Sequence, residues 1–439
     1  MITAFFSVTD IRQAEEFLRR IEEERADPGG GSSVESAVAE MLAQVKERGL
    51  EAVVDYTRRF DAPDFTDAHF QAPVEEMAAA AARIPQEDKD VIAAAVANIR
   101  VFHERQKNDS WFLTRDDGSI FGQRTVPVDR AGIYVPAGQG GSTPLISSLL
   151  MGAIPAQVAG VREIAVVSPP RADGTVNEHI LAAAHMLGIE EVYAAGSAWG
   201  VAALAYGAGP LRAVDVIAGP GNIYVATAKR RLQGTVGMDM VAGPSEVCIV
   251  ADESANPAWI AADMLSQAEH DTQASSICLC VSPSLAEAVL GELERRCADL
   301  PRKEIARASL ERFGAVISVP NIDLAVALAN RIAPEHLELL VRDPWELLPR
   351  IRHAGAVFMG EYSAEPLGDY YAGPNHVLPT MGTARFSSAL SVDTFCKKIS
   401  IVAASRDFAR TGAGAVARLA RLEGLEGHAR SALCRLEKE

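Results

Sequence analysis

The sequence contains no long hydrophobic run and no excess of positive charge. A membrane-spanning helix needs about 18 consecutive apolar residues, but the most apolar segment, residues 145–161, is interrupted by Ser147, Ser148, Pro155 and Gln157. Acidic residues outnumber lysine and arginine by 58 to 42, which leaves a net charge of −16. Because nucleic acids and anionic lipids are bound largely by lysine and arginine, we expect no nucleic-acid partner and no association with membranes.

Cysteine pairs and a secretory leader are also missing. None of the six cysteines belongs to a CxxC motif, and several lie in apolar runs, which favours buried thiols in a reducing compartment over disulfides. The first residues carry no basic segment, and Asp10 follows too soon for a secretory hydrophobic stretch. With 48% hydrophobic and 23% charged residues the composition is globular, and we expect a cytoplasmic protein.

Hydrophobic periodicity divides the 439 residues into four parts. Residues 1–127 are predicted to form an N-terminal helical region. Residues 128–243 and 244–384 alternate short apolar strands with helices, which is typical of a parallel, doubly wound sheet. From about residue 385 the strand patterns stop, so residues 385–439 are predicted to form a helical tail. The predicted fold class is α/β, with two similar doubly wound halves.

Two glycine-rich loops follow predicted strands, which is where open α/β sheets bind ligands. Bare amides in residues 137–142 would let an anion approach closely, as in a phosphate-binding loop. The segment is not a GxGxxG motif, however, and an ordinary flexible turn is the simpler interpretation. In residues 219–222, Asn222 either caps the next helix or contacts a cofactor, and the spacing alone leaves both open.

Three polar patterns have the chemistry of a metal or acid–base site. Gln267 and His270 lie three residues apart on one helix face, where an amide oxygen and an imidazole can share a divalent metal. Glu335 and His336 place two proton acceptors side by side near a loop. Asp369, in a loop rich in glycine, proline and asparagine, is either an oxygen ligand or a turn-former. Taken singly, these patterns are more often a solvated helix end, a surface pair and a turn.

Other polar residues carry no signal on their own. Ser245 does not belong to the GxSxG turn that a nucleophilic serine requires in α/β hydrolases. Glu423 and His428 lie in the polar tail and are interpreted, by themselves, as exposed side chains.

Six short segments, taken together and in their order along the chain, are more specific for a protein family than any one of them alone. The segments are VPVDRAGIYVP (126–136), GPGN (219–222), AGPSE (242–246), LSQAEHD (265–271), PEHL (334–337) and GPNHVLPT (373–380). Together they resemble the histidinol dehydrogenase family, from about residue 33 to the C-terminus. The resemblance implies two incomplete Rossmann-like domains, of which residues 128–243 bind NAD and residues 244–384 carry the catalytic zinc.

The same resemblance implies an activity and an assembly. The family oxidises L-histidinol to L-histidine through L-histidinaldehyde, in two NAD-dependent steps that complete histidine biosynthesis. One zinc per subunit would be held by Gln267, His270, Asp369 and His428. In the family the tail crosses to the partner subunit, so Glu423 and His428 would complete the other protomer's site in a homodimer with shared active sites.

Roles for individual residues also follow from the resemblance. His336 would take the alcohol proton as hydride leaves, and Glu335 would activate water on the aldehyde. Glu423 would pair with the substrate ammonium. The substrate pocket would contain Ser245, Gln267, His270, His336, Asp369, Glu423 and His428.

The cofactor side departs from the family pattern. Tyr134 and Asn222 match positions that hold NAD, but Trp199 stands where the family has glutamine, and an indole cannot accept a hydrogen bond as an amide does. A related enzyme that oxidises another small alcohol, such as a sulfonated propanediol or a different amino alcohol, is therefore an alternative. Glu423 argues against a sulfonate, because a carboxylate facing an anion in a dry pocket is costly. A non-catalytic zinc- or nucleotide-binding protein is disfavoured, since Glu335 and His336 are both present.

Overall fold

The computed structural model describes residues 2–26, 31–138, 141, 143–241 and 243–436. It separates into two compact units, one of Met1–Gln106 with Asp129–Phe395 and the other of Lys107–Val128 with Cys396–Glu439. Within the predicted phosphate-binding loop, residues 139, 140 and 142 lie outside the described residues.

Fourteen strands are present in the described residues. They are β1 (Ala4–Ser7), β2 (Trp111–Thr114), β3 (Ile120–Pro127), β4 (Arg130–Tyr134), β5 (Glu163–Ser168), β6 (Glu191–Ala194), β7 (Val216–Ala218), β8 (Gly237–Met238), β9 (Glu246–Ala251), β10 (Ser275–Cys280), β11 (Ala315–Ser318), β12 (His336–Leu340), β13 (Ala356–Met359) and β14 (Cys396–Ala403).

Seventeen α-helices accompany them in the same part of the chain. They are α1 (Arg12–Ala26), α2 (Gly31–Arg48), α3 (Leu50–Phe60), α4 (Val74–Arg83), α5 (Gln86–Glu104), α6 (Ile146–Ala159), α7 (Glu178–Met186), α8 (Ser197–Tyr206), α9 (Ile223–Leu232), α10 (Pro257–Ala268), α11 (Pro283–Cys297), α12 (Lys303–Phe313), α13 (Ile322–Ile332), α14 (Pro344–Leu347), α15 (Glu365–Tyr370), α16 (Arg406–Leu422) and α17 (Glu426–Leu433).

Two parallel sheets form the centre of the first unit. One has the order β6-β5-β4-β7-β8 and the other the order β1-β11-β10-β9-β12-β13. Every residue of β4, β9, β10 and β12 is buried, as expected for strands whose two faces are both covered by helices. In each sheet the strand order reverses next to the first strand of the α/β alternation, β4 or β9. The predicted α/β class with two doubly wound, Rossmann-like halves is confirmed.

Four strands fall where only helices were predicted. β1, β2 and β3 lie in the region 1–127, so the prediction that this region is helical is wrong for its two ends. β1 pairs in parallel with β11, and β2 pairs antiparallel with β3. β14 lies beyond residue 385 and pairs antiparallel with β3, so the prediction that the strands stop there is also wrong. β14 has no buried residue and therefore lacks a strong hydrophobic signal, and β1 and β14 each pair with a strand distant in the sequence. The four-part division of the chain remains a prediction.

The second unit contains the antiparallel sheet β14-β3-β2 together with α16 and α17. Among the described residues, no helix combines the length and the apolar character that crossing a bilayer would need. Four of the six cysteines, Cys248, Cys278, Cys280 and Cys297, are buried as thiols.

Candidate active site

The predicted acid–base pair lies at the amino edge of the six-stranded sheet. Helix α13 ends at Ile332, and the next residue, Ala333, has the left-handed conformation, with φ 52°, so that the chain turns there towards β12. His336 is the first residue of β12 and stands opposite Val247 of β9. Glu335 and His336 are both buried, at 7% and 3% exposure. The pair therefore opens a strand, whereas the sequence alone indicated only the neighbourhood of a loop.

Backbone contacts determine which nitrogen of His336 is available. Its Nδ1 lies 2.9 Å from the backbone oxygen of Glu246, so Nδ1 carries the hydrogen and donates it to that carbonyl. The other nitrogen, Nε2, is buried and has no hydrogen-bond partner among the described residues. In the neutral ring Nε2 is the acceptor, and it is the atom that can take a proton.

Glu335 lies on the other side of the ring. Its Oε2 accepts a hydrogen bond from the Glu246 amide at 2.9 Å and lies 3.7 Å from His336 Nδ1. Burial raises the pKa of Glu335 to about 7. A carboxylate with a pKa near neutrality is suited to general base catalysis.

Arg25 of α1 holds this edge in place, although no pattern in the sequence indicated it. Its Nη1 donates to Glu246 Oε1 at 2.5 Å, and both side chains are buried. The same guanidinium donates to the backbone oxygens of Pro244, at 2.8 Å, and Gln273, at 3.0 Å. Ser245, a predicted substrate contact, is thereby held between Pro244 and Glu246.

Two carboxylates face the available nitrogen of His336. Asp369 Oδ1 lies 3.8 Å and Glu365 Oε1 4.0 Å from Nε2, and one ligand atom from each of the three residues lies within 4.8 Å of the others. Asp369 lies on α15 rather than in the predicted loop, four residues after Glu365 and so on the same helix face. The first amide of α15, that of Glu365, donates to Glu338 Oε1 at 3.1 Å. Sequence reasoning missed Glu365, whose spacing to Asp369 was the available signal.

The end of α10 approaches the same carboxylates. Ser266 donates to Glu365 Oε2 at 3.4 Å. The next residue, Gln267, is fully buried, and both of its side-chain amide atoms lack a hydrogen-bond partner. A buried polar group without a partner costs about 1–3 kcal/mol, so this amide is a place where a ligand would bind.

The prediction that His270 shares a helix face with Gln267 is wrong, because α10 ends at Ala268 and His270 lies in the turn after it. His270 nevertheless lies within electrostatic range of Asp369. Burial lowers its pKa, and the charge of Asp369 opposes that shift. His376 approaches Asp369 more closely, because its Nδ1 lies 3.0 Å from the Asp369 backbone oxygen. Burial also lowers the pKa of His376. Neutral imidazole is the form that binds metals, so His270 is a suitable ligand.

Glu423 and His428, the remaining predicted site residues, belong to the second unit. Glu423 directly follows α16 and His428 lies in α17; both are exposed. Their place in a shared site remains a prediction.

Three predicted cofactor contacts lie at the carboxyl edge of the five-stranded sheet. Tyr134 ends β4, and its hydroxyl accepts a hydrogen bond from the Ser197 amide at 2.9 Å. Asn222 caps α9 by accepting from the amides of Tyr224, at 3.1 Å, and Val225, at 3.2 Å. The cap is thus one of the two roles that the spacing left open for Asn222, and contact with NAD remains a prediction.

Trp199 is buried on α8 rather than open to a ligand. Its Nε1 donates to Thr57 Oγ1 at 3.1 Å, and its ring stacks on Tyr56 and Phe60 with centroid separations of 5.9 and 5.5 Å. The indole hydrogen is therefore used within the protein.

Glycine is required at the start of the 219–222 loop. Gly219 has φ 127°, and a Cβ atom there would lie 2.0 Å from the backbone oxygen of Tyr134. The buried Lys229 of α9 donates to the Gly219 oxygen at 2.8 Å. The loop is thus fixed closely against the end of β4.

Comparisons with known proteins agree over nearly the whole chain. Residues 26–436 match the sequence model of the family described as histidinol dehydrogenase. The chain is 64% identical over 411 residues to the histidinol dehydrogenase of Nitratidesulfovibrio vulgaris, covering 94% of each chain. It is 60% identical over 405 residues to that of Oleidesulfovibrio alaskensis, covering 92% of this chain and 93% of the other. A crystal structure of histidinol dehydrogenase from Elizabethkingia anophelis superposes with a TM-score of 0.92 at 33% identity, over 99% of this chain and 98% of the other.

Proposed function

The chain belongs to the histidinol dehydrogenase family, and on that premise we propose that it oxidises L-histidinol to L-histidine through L-histidinaldehyde, using NAD and one zinc per subunit. The observation that carries the proposal is the buried pair Glu335 and His336, with Nε2 of His336 facing Asp369 and Glu365. The pair offers two proton acceptors, one for each oxidation.

The residues around His336 fit a metal ion. Gln267 offers an amide oxygen without a partner, His270 an imidazole that burial keeps neutral, and Asp369 a carboxylate. Nitrogen and oxygen ligands of these kinds suit zinc. His428 from a second copy of the chain would complete the set. When bound, zinc supplies the charge that holds the substrate's imidazole and amine, and NAD accepts hydride.

In the first oxidation, His336 Nε2 takes the proton of the substrate hydroxyl while hydride leaves the carbon that bears this hydroxyl. The Glu246 carbonyl keeps the other ring nitrogen protonated, so the ring has a single available acceptor. Burial alone would lower the pKa of His336, but the charges of Glu335, Asp369 and Glu365 raise it to about 10, so near neutral pH the ring carries a proton unless a cation offsets these charges. A zinc ion held by Asp369 would supply that offset and leave Nε2 able to accept the hydroxyl proton. These carboxylates therefore stabilise the imidazolium that the proton transfer creates.

In the second oxidation, Glu335 takes a proton from the water that adds to the aldehyde carbon. The adduct left by this deprotonation loses hydride, which a second NAD would accept when bound, and the carboxylic acid so formed releases its remaining proton to solvent as it becomes the carboxylate. Because its pKa is about 7, Glu335 can accept this proton near neutral pH. Glu423 would pair with the substrate ammonium and hold the amino alcohol in place.

A homodimer with shared sites is supported by the surface of the second unit. Strand β2 exposes Trp111, Phe112 and Leu113, and α16 exposes Leu419 and Leu422, each at 54–66%. Large apolar side chains exposed on neighbouring positions of one element, as on β2, are typical of a surface that another protein covers. Glu423 directly follows Leu422, so a second copy docking here would meet the proposed substrate-binding carboxylate.

Oxidation of a different small alcohol is the second candidate, and Trp199 is the observation that favours it. The packing of Trp199 against Thr57, Tyr56 and Phe60 accounts for this departure without any change in the residues around His336. We therefore prefer histidinol.

The test is to count NADH formed per molecule of L-histidinol by the zinc-loaded protein. Two NADH per histidinol, with histidine as the product, is the expected result. Binding of NAD without turnover of histidinol would favour the second candidate, and a screen of amino alcohols and sulfonated diols would then identify the substrate. Glu335→Gln is the informative variant, because it should accumulate the aldehyde.

A further inference from the structure

One acidic group at the carboxyl edge of the five-stranded sheet is left unsatisfied by the protein. Asp61 follows α3, and its Oδ2 is enclosed yet accepts no hydrogen bond from the described residues. A Cβ atom on Gly196 would lie 2.9 Å from that oxygen and 3.3 Å from Cγ of Pro169. The carboxylate is therefore in close contact with the loop between β6 and α8 and lies near the residue that follows β5.

This position matters because of the topology of the sheet. The order β6-β5-β4-β7-β8 reverses beside β4, and doubly wound sheets bind dinucleotides at the carboxyl edge of such a reversal. In them, an acidic residue at the end of the second strand commonly binds the hydroxyls of the adenosine ribose.

The second strand here does not carry that acid itself. β5 ends at Ser168 and is followed by Pro169 and Pro170. The next acidic residue, Asp173, accepts from Thr175 Oγ1 at 2.6 Å. Asp61 arrives beside Pro169 from a distant part of the chain and places a carboxylate close to where the strand lacks one.

The surroundings of Asp61 also indicate a missing donor. Burial raises its pKa to about 6, and no basic side chain among the described residues forms an ion pair with it. Burial and, to a lesser extent, the charge of Asp61 raise the pKa of the Tyr134 hydroxyl well above its usual range. Asp61 thus lies within electrostatic range of the tyrosine that ends β4.

We propose that Asp61 accepts hydrogen bonds from the adenosine ribose of the dinucleotide and so selects NAD over its 2′-phosphorylated form, NADP. The inference rests on the proposed function, because it requires a nicotinamide dinucleotide at this edge. A ribose hydroxyl supplies the missing donor, whereas a 2′-phosphate places negative charge against a carboxylate that has no cation to offset it.

Arg59 carries a positive charge that would favour NADP instead of NAD. Its guanidinium lies 4.9 Å from the ring centroid of Phe60, one residue before Asp61, and a guanidinium can pair with a 2′-phosphate. Binding measurements on both dinucleotides therefore decide between the two residues.

The experiment compares dissociation constants for NAD and NADP by titration calorimetry of the full-length, zinc-loaded protein. The wild type should bind NAD at least about tenfold more tightly than NADP. Asp61→Asn should weaken NAD binding by about tenfold and bring the ratio of the two constants towards one. Asp61→Ser should do the same, which covers the case in which the asparagine variant misfolds. Asp64→Asn, at an exposed neighbouring position, is the matched control and should keep the wild-type ratio.

Three outcomes would overturn the inference. A wild-type ratio in both Asp61 variants, with a lowered melting temperature, would mean that Asp61 only stabilises the loop before α8. Tighter binding of NADP than of NAD by the wild type would point to Arg59 instead. If the wild type binds neither dinucleotide, the proposed function fails together with the inference, and this is distinguishable from failure of Asp61 alone.

Discussion

The two parallel sheets of the first unit differ in how far the protein satisfies its own polar groups. At the carboxyl edge of the five-stranded sheet, the Tyr134 hydroxyl accepts from Ser197, and Asn222 caps α9. At the amino edge of the six-stranded sheet, both amide atoms of Gln267 and Nε2 of His336 have no partner among the described residues.

This difference shows where the protein depends on its ligands. Buried polar groups are normally hydrogen-bonded, so several unpaired atoms at one edge mark a place where ligands would supply the missing contacts, and zinc and the substrate are the ligands proposed above. The carboxyl edge of the other sheet is held by contacts within the protein, and among the described residues there Asp61 Oδ2 is a buried atom without a partner. The two sheets have the same architecture but differ in these edges. The amino edge of the six-stranded sheet is the ligand-dependent edge, whereas the carboxyl edge of the five-stranded sheet is largely self-sufficient, because the polar groups of Tyr134 and Asn222 are paired within the protein.

The largest expected effect is that of His336→Asn at the ligand-dependent edge. The asparagine amide can still donate to the Glu246 carbonyl, but no acceptor remains in place of Nε2. We expect kcat for histidinol oxidation to fall by about 10²–10⁴-fold, with little change in NAD affinity, as measured by NADH formation and calorimetry. A kcat close to the wild-type value would contradict the role of His336.

Arg25→Met tests whether this edge needs its buried ion pair. The variant leaves the Glu246 carboxylate buried without its cation, and we expect it to lower the free energy of unfolding by about 3–5 kcal/mol. Urea denaturation measures the change. Arg20→Met, an exposed position on the same helix, is the control and should stay within about 0.5 kcal/mol of wild type. Equal losses in the two variants would show that the pair has no special role.

Gln267→Leu should weaken zinc binding without lowering the stability of the metal-free protein. Removing the amide oxygen should weaken zinc binding by about 10–100-fold, measured by competition with a chelator. The metal-free variant should unfold no more easily than the metal-free wild type, since leucine removes two buried, unpaired atoms. Gln233→Leu, at an exposed position, controls for the added apolar side chain. Unchanged zinc affinity would remove Gln267 from the ligand set.

The pH dependence of the second oxidation should follow Glu335. Because burial raises the pKa of Glu335 to about 7, its base form becomes populated as the pH rises through that value. The rate of aldehyde oxidation should therefore be half-maximal near pH 7 and level off about one pH unit above it, as single-turnover kinetics can show. Glu335→Gln should be slow throughout and lack this transition, and a wild-type profile that is flat from pH 6 to 8 would count against Glu335 as the base.

Trp199→Phe should have the smallest effect and lies at the self-sufficient edge. It removes the hydrogen bond to the buried hydroxyl of Thr57, which should lower the free energy of unfolding by about 1–2 kcal/mol. NAD affinity should stay within about twofold, because the indole faces the protein. A large loss of NAD affinity would break the comparison, since this edge would then also depend on its ligand.

Much of the fold could be predicted from local sequence patterns. The alternation of apolar strands and helices from residue 128 to residue 384 is a local signal, because buried parallel strands are short hydrophobic runs. β1 and β14 were missed, since each depends on pairing with a strand far away in the chain. β2 and β3 were missed too, and β2 has no buried residue that would give it the pattern of a core strand. β14 also has no buried residue, so its sequence lacks the pattern that marks a core strand.

The predicted site residues were recognisable from their motifs rather than from their spacing. Glu335 and His336 are adjacent in the sequence, but the contacts that make them chemically distinct come from the Glu246 backbone. Glu365 and Arg25 were not found, because neither belongs to the motifs that carry the family resemblance.

By itself, the sequence determined the α/β alternation and the family, since both are written in local periodicity and in short motifs whose order can be read along the chain. Only the tertiary structure decided which edge of each sheet holds the polar groups, which nitrogen of His336 is available, and that Arg25 pairs with Glu246 across 221 residues. The physical reason is that burial, hydrogen-bond partners and the resulting pKa shifts depend on neighbours in space. Folding brings these neighbours together from distant segments, and the local sequence of one segment does not indicate which other segment it will contact.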